Sequence, residues 1–397
     1  MRLLIAGGGT GGHIYPALAV ARSLRARPGP AETLDPGVVA DASAGLPELD
    51  WLGGHRGLER AIVPAAGIPL RRLLLRSLRS AGRDIHLVLD PVRLVLSVPQ
   101  AFLLLLLRRP AAILTTGGYV AIPTLLAAQA LGIPSVLWEG NVVPGKSVRF
   151  VARRATVLAV SFPETAETLA HPMAFVTGTP IRSLDADPDE ARARFGARPG
   201  ERILLVFGGS QAVRRINTAV WGALPRLAER VRVVHVTGDD GYAGALAARE
   251  ALPADLRDRY RPFPFLHDDM TAALVAADLA VGRSGSSTLA EAAACALPMA
   301  IVPYPHAAGH QRRNAESYAA GGAALLVEDE AFDADRLVEV AGLLSDPSAH
   351  AMMSAAARDA ARPHAADAVA ELVLAVATGR ALPTQERVDA VSRGSGR

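Results

Sequence analysis

The chain has 397 residues, half of them hydrophobic and a fifth charged, which is long for a single ordinary core and enough to fill two. Its 42 basic and 39 acidic residues leave a net charge of +3, too small to suggest a nucleic-acid-binding protein. The single cysteine, Cys295, excludes a disulfide framework and a cysteine metal site, and reads as a small buried core residue in a reducing compartment.

The first element is an apolar run over residues 2–6, a buried parallel strand by its pattern and too short for a signal-peptide core, so a cytoplasmic protein is expected. It runs into Gly7-Gly8-Gly9-Thr10-Gly11-Gly12-His13 and then a helical stretch over 16–25. Gly7, Gly9 and Gly12 have the G-x-G-x-x-G spacing of a dinucleotide site, a weak signal by itself. The region around Glu32 and Asp35 offers no clean second strand ending in an acid, so an oxidoreductase is the lesser reading. Such a loop still presents backbone N–H groups at a helix N-terminus, which favour an anion. His13 opens that helix, where the positive end should keep an imidazole neutral and able to accept a proton. The competing reading is that His13 only caps or packs.

Residues 28–49, rich in Pro, Gly, Ala and Asp, read as a loop or insertion. Residues 85–107 are very apolar and flanked by Arg83, Arg108 and Arg109, but Pro91, Arg93, Pro99 and Gln100 interrupt them. The cleanest part is then too short to span a bilayer. Residues 103–107 read as a core helix, and part of the stretch as an interfacial patch with its arginines toward anionic lipid. Strands are expected at 111–115, 135–138 and 174–177, each leading into a loop. These loops are Thr116-Gly117-Gly118-Tyr119-Val120, Glu139-Gly140-Asn141 and Gly178-Thr179-Pro180-Ile181-Arg182.

Near the middle the pattern starts again. An apolar run over 202–207 meets Gly208-Gly209-Ser210-Gln211 and another helical stretch. Strands at 231–236, 279–281 and 299–302 alternate with alanine-rich helices, the mark of parallel sheets. The two similar starts imply an α/β protein of two Rossmann-like parallel-sheet domains facing across a cleft. Their junction is expected at about 185–190, and the polar tail after Thr378 reads as disordered.

In order along the chain, Gly8-Gly9-Thr10-Gly11-Gly12-His13, Gly117-Gly118-Tyr119-Val120, Gly208-Gly209-Ser210-Gln211, Arg283-Ser284-Gly285 and the block over 306–314 carry a close resemblance. They resemble the MurG type of GT-B glycosyltransferase, the peptidoglycan N-acetylglucosaminyltransferases that make lipid II from lipid I. The resemblance runs from Arg2 to about Ala377. It implies an acceptor-binding domain over 1–184, joined by a returning helix at about 365–377, and a UDP-sugar-binding domain over 185–362. Arg182 and Ser210 would hold the donor diphosphate, and Glu291 the ribose hydroxyls. Uracil would lie along the strip from Phe265 through Leu266 to Met270. Gln311, with His310 and Asn314, would meet the transferred sugar, and Gln211, Ser284 and Gly285 complete the donor set. Thr10, Gly11, Gly12 and Tyr119 would lie at the acceptor diphosphate, with Asn141 close to the reacting centre.

The chemistry so implied is an inverting displacement at the anomeric carbon, with His13 as the base that takes the acceptor proton. No DxD motif lies at a strand end, since Asp239-Asp240 and Asp268-Asp269 read as turns. An arginine and a helix dipole would neutralise the departing diphosphate, so neither a metal nor another cofactor is expected. The expected partners are UDP-GlcNAc, a polyprenyl-diphosphate-linked acceptor and an anionic membrane surface at the cytoplasmic face, with no nucleic acid. Rivals are a related transferase acting on another lipid or a small aglycone, a UDP-GlcNAc 2-epimerase, and a silent nucleotide-sugar sensor. For Glu291 the competing reading is a Thr288-x-x-Glu291 capping box, and for Arg182 a salt bridge joining the domains. The chain departs from the family at Gly140, Thr179 and Ala212, where Gln, Asn and Gly are usual.

Overall fold

The computed structural model describes residues 1–26, 45–75, 86–208, 214–266, 269–305 and 309–395. They form two compact units, Met1–Arg182 with Arg362–Arg397, and Ser183–Ala361. The first contains β1 (Arg2–Ala6), α1 (Gly11–Ala26), β2 (Glu48–Gly54), α2 (Glu59–Ala65), β3 (Leu70–Leu73), α3 (His86–Arg108) and β4 (Ala112–Thr115). It continues through α4 (Ala121–Leu131), β5 (Ser135–Glu139), α5 (Lys146–Val151), β6 (Val157–Val160), α6 (Pro163–Leu169) and β7 (Ala174–Val176). The second unit runs α7 (Pro188–Arg194), β8 (Ile203–Phe207), α8 (Arg214–Ala228), β9 (Arg232–Val236), α9 (Asp239–Glu250), β10 (Tyr260–Phe263) and α10 (Met270–Ala276). Then follow β11 (Leu279–Gly282), α11 (Ser286–Ala294), β12 (Met299–Ile301), α12 (His310–Ala320), β13 (Ala324–Leu326), α13 (Ala334–Ala341) and α14 (Pro347–Ala360). Finally α15 (Ala365–Thr378) and α16 (Gln385–Arg393) rejoin the first unit.

Every strand pairing is parallel, in the order β3-β2-β1-β4-β5-β6-β7 in the first unit and β10-β9-β8-β11-β12-β13 in the second. Central strands such as Leu3-Leu4-Ile5 and Leu204-Leu205-Val206 are buried on both faces, which is why they read as unbroken apolar runs. In each sheet the order reverses beside the first strand, between β1 and β4 and between β8 and β11. At such a switch point the loops leaving the two strands diverge and open a crevice at the carboxyl ends of the strands. The glycine loop after β1 and the turn after β4 therefore sit side by side.

Several expectations need correction. The stretch read as a loop over 28–49 ends in β2, whose Trp51 is fully buried and donates its indole N–H to the Gly7 carbonyl at 2.8 Å; residues 28–44 lie outside the described residues. The segment interrupted by prolines is one helix, α3, continuous through Pro91 and Pro99. By length and composition alone its Asp90–Arg108 portion could cross a membrane. Residues 103–107 are not a core helix, because only Leu105 among them is fully buried while Leu103, Leu106 and Leu107 are exposed.

The tail after Thr378 is ordered over α16. Thr384 caps that helix by accepting from the Arg387 N–H, and Val388 and Val391 are buried in the first core. Gln385 bonds both the N–H and the carbonyl of Val176 on the edge strand β7, at 3.0 Å each. This pairing satisfies an otherwise open sheet edge.

Candidate active site

The first unit gathers its candidate residues at the β1–β4 switch point. Gly117 and Gly118 both have positive φ, +81° and +71°. A Cβ at Gly118 would lie 3.3 Å from the His13 ring and 3.4 Å from the Gly8 carbonyl oxygen. The turn therefore needs glycine for its backbone and also for its closeness to His13. Thr116 fixes the same histidine twice. Its hydroxyl donates to the His13 carbonyl at 2.8 Å, and its own carbonyl lies 2.6 Å from His13 Nδ1. A carbonyl oxygen only accepts, so Nδ1 carries the proton and Nε2 is the basic nitrogen of the ring.

The glycine loop is held by a carboxylate that the sequence did not announce. Glu59, the first residue of α2, is fully buried. Its Oε2 accepts from the Gly9 N–H at 2.9 Å, and its Oε1 accepts from the Gly54 N–H at 3.0 Å and the Tyr119 hydroxyl at 3.2 Å. Burial first, then the charge and hydrogen bond of Glu59, raise the Tyr119 phenol above its usual pKa and keep it a donor. A dinucleotide pyrophosphate would seek the Gly9 amide, which Glu59 already holds, so the oxidoreductase reading lapses. Among the described residues the amides of Gly11 and Gly12, in the first turn of α1, have no hydrogen-bond partner. Thr10 and Gly12 are exposed.

After β5, buried Glu139 folds its loop inward by accepting from the Asn141 N–H at 3.0 Å, the Asn141 side-chain amide at 2.9 Å and the Gly145 N–H at 3.1 Å. Thr179, where the family usually has Asn, is buried with its hydroxyl 2.7 Å from that of Ser161. Arg182 is the half-buried last residue of the first unit.

In the second unit the motif residues mesh with one another. The Ser284 hydroxyl, fully buried, donates to the Gln311 carbonyl at 2.6 Å. Asn314, also fully buried, gives its side-chain amide to the Ser284 carbonyl at 3.2 Å. The side-chain carbonyl of Gln311 accepts from the Tyr304 N–H at 3.0 Å, so its NH₂ is what it can offer a ligand. Arg283, expected only as part of the motif, is buried, donates to the Val302 carbonyl at 2.9 Å and to Asp329 at 2.5 Å, and lies 5.5 Å over the Tyr304 ring. These bonds hold the start of α11, capped by Gly285, against the start of α12. His310 is half-buried at the head of α12.

The Thr288–Glu291 capping box does not form, because α11 already starts at Ser286 and has no side-chain cap. Glu291 is buried on α11. Cys295 is half-buried, and burial together with the Glu291 charge pushes its thiol up to about 12. Leu266 is buried and half-buried Met270 begins α10. Ser210, Gln211, Ala212, His267 and Asp268 lie outside the described residues. No group of three or more His, Cys, Asp or Glu side chains placed to hold a metal occurs among the described residues.

Comparison with known proteins gives consistent matches. Residues 42–160 match the glycosyltransferase family 28 N-terminal domain, and residues 203–371 the glycosyltransferase family 28 C-terminal domain. The UDP-N-acetylglucosamine–N-acetylmuramyl-(pentapeptide) pyrophosphoryl-undecaprenol N-acetylglucosamine transferase of Moorella thermoacetica is 38% identical over 387 residues, covering 94% of this chain and 98% of that protein. The crystal structure of Acinetobacter baumannii MurG superposes with a TM-score of 0.73 at 26% identity, over 94% of this chain and 98% of that one. A putative UDP-N-acetylglucosamine 2-epimerase from Listeria monocytogenes reaches a TM-score of 0.67 at 13% identity, over 96% and 98%, a likeness of fold alone.

Proposed function

We infer the function from one premise, that this chain belongs to the MurG family of N-acetylglucosaminyltransferases within glycosyltransferase family 28. The enzyme transfers GlcNAc from UDP-GlcNAc to undecaprenyl-diphospho-MurNAc-pentapeptide, converting lipid I to lipid II in peptidoglycan synthesis. The epimerase alternative has only the fold in its favour.

The first unit takes the acceptor and the second the donor. His13 is the base, and the observation that carries this is its Nδ1 bond to the Thr116 carbonyl, which makes Nε2 the nitrogen able to take a proton. As the acceptor hydroxyl attacks the anomeric carbon, its proton passes to Nε2 and UDP leaves with the bonding pair. The amides of Gly11 and Gly12, beside exposed Thr10, are assigned to the acceptor diphosphate, because they sit at the positive end of α1 without partners among the described residues. Asn141 is assigned to the edge of the acceptor site, oriented by Glu139.

On the donor side, Arg182 and Ser210 are assigned to the diphosphate and Glu291 to the ribose. Gly285, the N-cap of α11, is assigned to the donor as well. Leu266 and Met270 are assigned to the base, and Gln211, His310 and the Gln311 NH₂ to the transferred sugar. Ser284 and Asn314 act behind this surface, since both are fully buried and hold Gln311 and the α11 start in place.

The membrane surface is assigned to α3. Val92, Val95, Leu96, Phe102, Leu103, Leu106 and Leu107 are exposed, whereas Ser97, Ala101 and Leu105 are buried against the unit. One apolar face thus remains turned to solvent, with Arg71 and Arg108 beside Leu103 and Leu107 around a cavity of about 290 Å³. That pattern suits peripheral attachment to anionic lipid.

The test is transfer from UDP-GlcNAc to a lipid I analogue beside diacylglycerol, with wild type and His13→Ala. The expected result is transfer to the lipid I analogue alone, and a loss of turnover in His13→Ala with donor affinity kept. Transfer only to diacylglycerol overturns the acceptor, and full activity of His13→Ala overturns the base.

A further inference from the structure

We propose that Glu59 is a positioning residue of the acceptor site, a built-in anion that shapes the glycine loop and Tyr119 so that a substrate diphosphate is received at Gly11 and Gly12 and not at Gly9. The proposal rests on the acceptor assignment above, and it gives Glu59 a task in the same reaction.

The geometry is local and closed. One carboxylate ties together the glycine loop through Gly9, the end of β2 through Gly54, and the turn after β4 through Tyr119. These donors come from chain positions 50, 5 and 60 residues away from Glu59, so the carboxylate joins segments that the sequence keeps apart. The neighbouring glycines are shaped around this carboxylate. A Cβ on Gly8 would meet Glu59 Oε1 at 2.5 Å, a Cβ on Gly53 would meet its Cγ at 2.9 Å, and a Cβ on Gly57 would overlap its carboxylate outright. The Tyr119 ring in turn lies against Gly9, where a Cβ would come within 2.9 Å of it. The glycine content of this loop is thus explained in part by an internal ligand.

The electrostatic consequence follows from charge alone. Amides of a glycine loop that point out at a helix N-terminus attract an anion. With a buried carboxylate on Gly9, a second anion at that position would be repelled, while the amides of Gly11 and Gly12 remain available at the end of α1. A diphosphate is thereby placed on the His13 side of the loop. Tyr119, a donor to Glu59, lays its ring against Gly9 itself.

The test is Glu59→Gln, which keeps size and shape but turns an NH₂ toward a backbone N–H. Tyr119→Phe, which removes the third hydrogen bond to Glu59 together with a longer one to the Arg56 carbonyl, is measured beside it. Acceptor KM, donor KM, kcat and thermal stability are recorded for each with UDP-GlcNAc and a lipid I analogue. A positioning role predicts an acceptor KM raised by roughly tenfold or more in Glu59→Gln, the scale of a buried donor left unsatisfied, with donor KM within about twofold. Tyr119→Phe should shift the same parameter, and the double variant should be no worse than the worse single one.

Equal losses toward donor and acceptor, or a lowered melting temperature with an unchanged acceptor KM, would make Glu59 merely structural and overturn the proposal. If the wild type does not use the lipid I analogue, the function reading fails separately. The proposal is then read from binding of undecaprenyl diphosphate in vesicles, where equal affinity of wild type and Glu59→Gln overturns it.

Discussion

Replacing Leu103 and Leu107 with Gln tests whether the open face of α3 is what brings the enzyme to its lipid-linked acceptor. Leu103 is 56% and Leu107 74% exposed, so roughly two-thirds of each side chain has no protein neighbour. Burying a whole leucine is worth about 1.5–3 kcal/mol, so docking the exposed part in lipid gives roughly 1–2 kcal/mol per residue and roughly 2–4 kcal/mol for the pair. A loss of that size lowers a partition coefficient on the order of 30- to 1,000-fold. Gln is a good helix former and both sites are exposed, so folding stability should move by no more than about 0.5 kcal/mol. The assay is co-sedimentation with anionic vesicles at fixed salt, beside thermal unfolding. Arg71 and Arg108, which flank the two leucines, predict that the wild type is also released as salt rises. Unchanged vesicle binding by a double variant of unchanged stability would refute the reasoning, because the exposed leucines between the two arginines would then touch no lipid.

Arg182→Ala is expected to weaken UDP-GlcNAc binding by roughly 1.5–3 kcal/mol, the range for a hydrogen bond to a charged group, and titration calorimetry with UDP-GlcNAc checks it. Unaltered affinity removes Arg182 from the donor site. Gly118→Ala should cost about 1–2 kcal/mol of stability from its positive φ, read by denaturant unfolding. Its new methyl would press on His13, so kcat should fall while donor KM holds.

Much of the fold was legible because a buried parallel strand leaves an unbroken apolar run. The strands at 203–207, 232–236 and 279–282 were found in that way. β2 was missed because Glu48 and Asp50 break its pattern. Asp50 is nevertheless buried, 3.9 Å from Arg2 and 4.0 Å from Arg108, so charges on neighbouring elements make a polar residue compatible with the strand. α3 looked broken because proline usually ends a helix, yet Pro91 and Pro99 both lie on the exposed face, where water can satisfy the carbonyls they leave unpaired. α16 looked disordered because its apolar content is low, but its two valines fall on one buried face. Glu59 was invisible for a different reason. Nothing in the residues around it distinguishes a surface carboxylate from one whose donors lie 5, 50 and 60 positions away.

The same reasoning divides the motif residues into two kinds. A motif marks residues that a site cannot do without, but does not say whether they touch the substrate or hold something that does. Ser284, Asn314 and Glu139, and outside the motifs Glu59, are all buried and direct their polar atoms at neighbouring backbone or side chains. Thr116 likewise gives both its oxygens to His13. The groups these residues support are few: the His13 ring, the first amides of α1 and the Gln311 NH₂. A buried polar group that loses its partner destabilises the fold, whereas an exposed donor that loses its ligand does not. Substitutions at Ser284 or Asn314 should therefore lower stability and activity together, and substitution of Gln311 should lower activity with a smaller change in stability. If each unit takes its own substrate, as proposed, two sheets that reverse at the same place can do so because the chemistry lies in the few groups left over once each switch point has satisfied itself.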